Sequence, residues 1–328
     1  MVGLQPSITL TAATAITPGT NVVVTVAGPT TMIQVGDVYV IDITREGWWY
    51  IPSNGQHQPV NKADFTIQEA GTTIHFDAVL FCIHGTPGED GKMQGYFDIL
   101  NIPYTSCDAA TSAITFNKRY TVAVAAFSGI AVAKSMHLFH HTPVNAAEIL
   151  QNLQLPVFIK PNNGGSSIGM SKVNDATELM PAIEKAFKED NQVLVEEYIA
   201  GREFTIGVFK AEGNIIVLPI TEVITEKDFF DFEAKYQGKS KEITPAQIPA
   251  EWQNKLTAAA QKVYEVLNCR GIVRMDFIWN EGAQTPCLLE INTVPGQSEA
   301  SIVPQQVKAM GWSLQEFYTR VIEAAFNK

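Results

Sequence analysis

A mixed α/β fold with room for two or three domains is what this sequence predicts, on three observations. Short apolar runs rich in Val, Ile and Phe recur and lead through Gly- and Ser-containing loops into helix-patterned stretches. No apolar run approaches the ~20 residues of a membrane span. Near the C-terminus, two strand-like runs carry carboxylate and amide side chains that a hairpin would bring into register.

The formal charge of the 328 residues is −11. That balance argues against a nucleic-acid partner, which needs a basic patch. An anionic substrate would instead be met by local lysines, arginines and metal ions. The start lacks the basic region of a secretory signal, and no membrane association is expected, so the chain is expected in the cytoplasm. Cys82, Cys107, Cys269 and Cys287 are far apart and lack metal-ligand spacing, which predicts reduced packing residues.

Residues 1–36 contain no Asp, Glu, Lys or Arg, whereas ordinary composition resumes at Asp37. Strands are predicted there at Ile8 to Thr14 and Asn21 to Val26. Strands at Val38 to Ile43 and Ala78 to Ile83 follow, with a polar hairpin-like insert between them. The run HGTPGEDG, from His84 to Gly91, sits at the carboxyl end of the second strand and leads into a short helix, Gly91 to Leu100. Open α/β sheets place ligands in such loops. A helix beginning near Ala109 to Thr111 is read as continuing through Asn117 and Lys118. A buried strand, Val157 to Pro161, ends with Lys160 and opens into the loop NNGGSSIG, whose small residues let backbone N–H groups approach an anion. This loop is not a Walker A motif, since no Gly-Lys-Ser/Thr opens a helix.

A helix from Asp175 to Glu189 precedes strands at Gln192 to Ile199 and Arg202 to Phe209. Thr221 to Thr244 is aromatic and charged without clear periodicity, as functional lids often are. A long helix, Pro249 to Leu267, leads to the hairpin. Side chains alternate across a strand, so Arg274 and Asp276 share one face while Val273, Met275, Phe277 and Trp279 take the other. A turn centred near Ala283 sets Asp276 opposite Glu290 and Arg274 opposite Asn292. Two carboxylates and an amide oxygen suit Mg2+ or Mn2+, with room for waters and substrate phosphates.

Taken together, three motifs resemble the D-alanine--D-alanine ligase family of the ATP-grasp superfamily: HGTPGEDGKMQG from His84, Glu233-Ala234-Lys235-Tyr236, and Arg274 to Asp276 with Glu290 to Gly296. The resemblance runs from about Asp37 to the C-terminus. It implies an N-terminal α/β domain over residues 1–116, of which 1–36 are anomalous. A central ATP-grasp part over 117–196 and a C-terminal part over 197–328, with lid and metal site, would follow. It implies ligation of two D-alanine molecules with ATP through an acylphosphate, for peptidoglycan precursor, in a homodimer. Lys118, Lys160 and Lys235 would serve the ATP, with Glu196 and Ile199 at the adenine edge and Glu203 at the ribose. Asp276, Glu290 and Asn292 would bind two Mg2+ or Mn2+ ions. Arg274 and the Gly296 N–H would meet the tetrahedral intermediate, while His84, Ser166, Tyr236, Ser301 and Ile302 would face D-alanine. Rival readings are a ligase with another acceptor such as D-lactate, disfavoured by Tyr236 in the lid, and an ATP-binding protein with impaired ligase activity.

The departure from the family is at the front. Members begin with a strand, a Gly-Gly-x-Ser-x-Glu loop and a helix, and that glutamate anchors the first D-alanine. Here no acidic residue precedes Asp37. Either the anchor is lost, or residues 1–36 are not the natural segment, as compensating reading-frame errors would produce. The abrupt return to ordinary composition favours the second.

Overall fold

The computed structural model describes residues 22–26 (backbone), 38–44, 46–52, 55–165, 167–225 and 240–327. The strand expected at residues 8–14 lies outside them.

The N-terminal sheet contains β1 (Val22–Val26), β2 (Val38–Ile43), β3 (Trp48–Tyr50), β4 (Gln58–Pro59) and, beyond a two-stranded ribbon of β5 (Ile67–Glu69) and β6 (Thr72–Ile74), β7 (Ala78–Leu80), in the order β4-β3-β2-β1-β7. All its pairings are antiparallel, including those of β1 to β2 and β7. Its core is aromatic: Phe65 and Phe97 meet edge to face at 4.8 Å, and Phe81 and Tyr104 extend the cluster. Helix α1 (Lys92–Leu100) starts one residue later than expected, because Gly91 is its N-cap at φ 86°. A side chain there would strike the Ala109 carbonyl oxygen at 2.4 Å.

Residues 109–127 form two helices, not one. Helix α2 (Ala109–Phe116) stops at Asn117, whose extended backbone caps it and whose side chain accepts the Tyr120 N–H to start α3 (Lys118–Phe127). Asn117 also bridges to Asn163, so the break ties Lys118 to the Gly/Ser loop. The next sheet is built from β8 (Ser135–Phe139), β9 (Val157–Pro161), β10 (Ser171–Val173) and β11 (Gln192–Glu197), in the order β10-β9-β11-β8. Helix α4 (Ala146–Asn152), a short 3-10 turn capped by Asp175, and α5 (Leu179–Phe187) cover it, burying Ile149, Leu179, Ile183 and Ala186.

The last sheet holds β12 (Gly201–Ala211), β13 (Asn214–Val217), β14 (Thr221–Thr225), β15 (Ser240–Ile243), β16 (Val273–Asn280) and β17 (Thr285–Asn292), ordered β15-β14-β12-β16-β17 with β13 on β12. The segment read as irregular from Thr221 to Thr244 is therefore strand at both ends. Helix α6 (Ala250–Val266) lays Leu256, Ala260, Val263 and Tyr264 on Phe204, Ile206, Met275 and Phe277, the i, i+4, i+7, i+8 spacing of a helix stripe. α2 and α3 join this core through Ile114, Val124 and Ala125. On the other face, α7 (Ile302–Ala309) and α8 (Leu314–Phe326) pack against β12 and β7. All four cysteines are buried and free. Among the described residues, no helix is long and apolar enough to cross a membrane.

Candidate active site

The hairpin register predicted from sequence is present where it matters: Arg274 lies opposite Asn292 and Asp276 opposite Glu290. Toward the turn the register shifts by one, so Phe277 faces Leu288 and Asn280 faces Thr285, with a bulge in between. The bulge has a consequence for the site. Leu289 and Glu290 are consecutive yet both line the same cavity, which regular alternation forbids.

Strand registers extend the patch into a lattice on one sheet face. Glu242, Val223, Glu203 and Ile278 form one row across β15, β14, β12 and β16. Thr221, Thr205, Asp276 and Glu290 form the next, and Gly207, Arg274 and Asn292 a third. Residues of the first two rows line a cavity of about 400 Å³ between this sheet and the preceding one. Loop residues 163–165, 167 and 168 close it from the other side, and any side chain at Gly164 or Gly165 would project into open space.

Asp276 is the best-held group. Its Oδ1 accepts from Thr205 Oγ1 at 2.8 Å and Arg274 Nε at 3.1 Å, and its Oδ2 from Arg274 Nη2 at 2.9 Å. The Asp276 and Glu290 carboxylates raise the Arg274 pKa, outweighing burial, which alone would lower it. Glu290 reaches the same guanidinium only at 3.9 Å and keeps a third of its side chain exposed, so it is the more available ligand. Asn292 Nδ2 stands 3.5 Å from Asp276. No group of three or more His, Cys, Asp or Glu able to hold a metal occurs among the described residues. Asp276, Glu290 and the Asn292 amide oxygen are hard donors that would fit Mg2+ or Mn2+ when phosphate and water complete the shell. The guanidinium between the two carboxylates supplies the positive charge there now.

Among the described residues, three cations line the cavity. Lys160 Nζ pairs with Glu196 at 2.5 Å, and although burial opposes its charge, Glu196, with Glu290 and Glu203, raises its pKa. Lys118 Nζ donates to the Gly164 carbonyl at 2.7 Å, so it grips the Gly/Ser loop that follows Lys160. Arg202 makes a two-pronged pair with Glu222, at 2.6 and 2.7 Å. Glu196, Ile199 and Glu203 all line the cavity. Sequence reading missed Arg202, Glu222 and Thr205; only the pairing of β12 between β14 and β16 brings them to the site, and a single sequence carries no signal of which strands neighbour.

His84 and Gly296 both lie at the turn after β17. His84 Nδ1 lies 2.8 Å from the Val294 carbonyl oxygen, to which it donates. Glu89 accepts the Gly85 N–H at 2.6 Å and a backbone N–H of Val294, joining the His84 loop to the turn after β17. A Cβ on Gly296 would lie 2.6 Å from Ser301 Oγ, so glycine lets this turn close on Ser301. Ser301 precedes α7, which Ile302 opens. None of residues 293–302 lines the nucleotide-sized cavity. Ser166, Lys235 and Tyr236 lie outside the described residues.

A small-residue loop from one sheet and a carboxylate hairpin from another, facing each other across one cavity, define an ATP-grasp enzyme. Residues 23–107 match the family model described as D-ala D-ala ligase N-terminus, and 118–323 that of the D-ala D-ala ligase C-terminus. The D-alanine--D-alanine ligase of Parabacteroides distasonis is 43% identical over 88% of this chain and 87% of its own length. That of Flavobacterium johnsoniae is 46% identical over 86% and 87%. Among solved structures, the VanG D-Ala:D-Ser ligase of Enterococcus faecalis superposes with a TM-score of 0.75 at 32% identity, covering 88% of each chain. The Bacillus anthracis D-alanine--D-alanine ligase complexed with ATP gives 0.67 at 29%, over 77% of this chain and 80% of that one. The chain belongs to the D-alanine--D-alanine ligase family.

Proposed function

We propose that this protein joins two D-alanine molecules into D-alanyl-D-alanine with ATP, for peptidoglycan synthesis, and that the Arg274–Asp276–Glu290–Asn292 lattice is where the phosphoryl group is handled. The observation that carries the reading is this lattice, whose Asp276 and Glu290 line the cavity, in a chain 43% and 46% identical to ligases of that name. ATP would lie in the cavity with its adenine along 196–199, its ribose at Glu203 and its phosphates under the Gly164–Gly165 loop, Lys118 and Lys160. Two Mg2+ or Mn2+ ions on Asp276, Glu290 and Asn292 would offset phosphate charge during transfer.

The carboxylate of the first D-alanine attacks the γ-phosphorus, ADP departs, and an acylphosphate results. The amine of the second attacks the acyl carbon, the carbon–oxygen bond to phosphate breaks, and inorganic phosphate leaves. Arg274 and the Gly296 N–H are proposed to meet the oxyanion of that second step. His84, Ser166, Ser301, Ile302 and Tyr236 are proposed to face the amino acids, and Lys235 the ATP. The three-part division at 116 and 196, the homodimer and a cytoplasmic location belong to the same proposal. Relatives named for the dipeptide favour D-alanine over D-serine or D-lactate as acceptor. Release of phosphate from ATP tests the reading: it is expected only with D-alanine present and in step with dipeptide, whereas D-alanine-independent release would support a nucleotide-binding protein without ligase activity.

A further inference from the structure

Glu242 stands at the β15 end of the first lattice row, in register with Val223 of the cavity wall, yet it does not line the cavity. Its Oε2 accepts from Gln305 Nε2 at 3.1 Å. The same amide nitrogen donates to the Ala300 carbonyl at 2.8 Å. Among the described residues, the loop around Ala300 is also held by Ser301 N–H to the Ser298 carbonyl at 2.8 Å, by the two serine hydroxyls 2.8 Å apart, and by the Gln305 N–H on the Ser301 carbonyl at 3.2 Å. One side-chain amide therefore ties a strand beside the nucleotide cavity to the loop that packs on Gly296. Gln306, the neighbour of Gln305, is fully engaged beneath the sheet with Gly207, Thr205 and Thr221, so the helix carrying Gln305 is itself fixed.

The loop stands outside the nucleotide cavity but directly follows the hairpin that carries Glu290 and Asn292. A second reactant approaching an acylphosphate formed at Arg274 and Glu290 must come from the side the nucleotide does not fill. We propose that Glu242 is a positioning residue for the acceptor amino acid, acting through Gln305 to hold the Ser298–Ser301 loop. This rests on the ligase reading above. Glu242 need not touch the reacting atoms; it needs only to accept from Gln305, and a glutamine at 242 can do that as well.

Hydroxylamine provides the test, since it is small enough to trap the acylphosphate without an ordered acceptor site, giving D-alanyl hydroxamate and phosphate. Dipeptide and hydroxamate are measured with ATP and D-alanine for the unaltered chain, Glu242→Ala, Glu242→Gln, Gln305→Ala and the double alanine variant. Losing a bond to a charged acceptor predicts a dipeptide-to-hydroxamate ratio roughly tenfold lower in Glu242→Ala and Gln305→Ala. The double variant should fall no further, and Glu242→Gln should recover most of the ratio. An unchanged ratio in Glu242→Ala, equal loss of both products, or a Glu242→Gln variant as poor as Glu242→Ala overturns the proposal. If the unaltered chain makes neither product, the ligase reading fails instead.

Discussion

Asp276 and Glu290 face each other across the hairpin but differ in freedom. Asp276 is fastened by Arg274 and Thr205, whereas Glu290 lies 3.9 Å from the same guanidinium and stays a third exposed. Glu290→Ala should therefore leave the fold and the Asp276 pairings intact and act on chemistry. Turnover is expected to fall by roughly two to three decades while ATP affinity changes less than tenfold, because charge at this point matters most as it redistributes in transfer. Calorimetric ATP binding beside steady-state turnover checks this, and equal losses in both would contradict it. Glu89 carries a prediction in pH. Burial raises its carboxyl above the usual 4.5, outweighing the Gly85 and Val294 N–H groups, His84 and Arg274. A raised folded pKa adds stability that is complete below the unfolded value and is lost as pH rises through the folded one. Glu89→Gln cannot titrate, so its melting temperature should gain on that of the unaltered chain as pH rises from 4.5 toward neutrality. A constant difference would rule this out. Alternation placed Arg274, Asp276, Glu290 and Asn292 from sequence alone, whereas Glu222 and Glu242 were illegible because one meets Arg202 on another strand and the other Gln305 on a helix.

Among the elements, the β16–β17 hairpin shows how far sequence reaches and where it stops. Equal-sum pairing predicted the partners of Arg274 and Asp276, and they are paired so. It could not foresee the bulge, because Cys287, Leu288 and Leu289 are all apolar and so mark no point where the alternation slips. The bulge puts Leu289 on the cavity wall beside Glu290. Leu289→Ala should raise the KM for ATP about five- to thirtyfold, the equivalent of about 1–2 kcal/mol of lost apolar burial, with kcat nearly unchanged. A lowered kcat at unaltered KM would place Leu289 with the chemistry instead. The break at Asn117 was missed for a related reason: the residues on both sides suit helix, and what stops α2 is a cap and a bridge to Asn163 from another part of the chain.

At the scale of the whole molecule, motifs placed the family resemblance from about Asp37 onward, and the family models match from residue 23, reaching back into the segment read as anomalous. The front is different. β1 runs antiparallel to both neighbours, and no carboxylate precedes Asp37 to meet the ammonium of a first D-alanine. ATP affinity is expected to be close to that of relatives, since every ATP contact proposed here lies from Lys118 onward, but dipeptide synthesis should be slow. A missing buried charge partner is worth about 3–5 kcal/mol, roughly two to four decades in kcat/KM. Replacing residues 1–36 by a family-type strand, Gly-Gly-x-Ser-x-Glu loop and helix should restore the rate. Equal rates with and without the replacement would mean that another acid serves the ammonium.

The central claim is that the lattice around Arg274 and Glu290 activates a D-alanine carboxylate as an acylphosphate before the second amine attacks. D-alanine labelled with oxygen-18 in both carboxylate oxygens, incubated with ATP and this protein, tests that directly by mass spectrometry of the phosphate released. The mechanism requires one labelled oxygen in each phosphate formed along with dipeptide, because the bridging oxygen leaves with phosphorus. Dipeptide accompanied by unlabelled phosphate would contradict it.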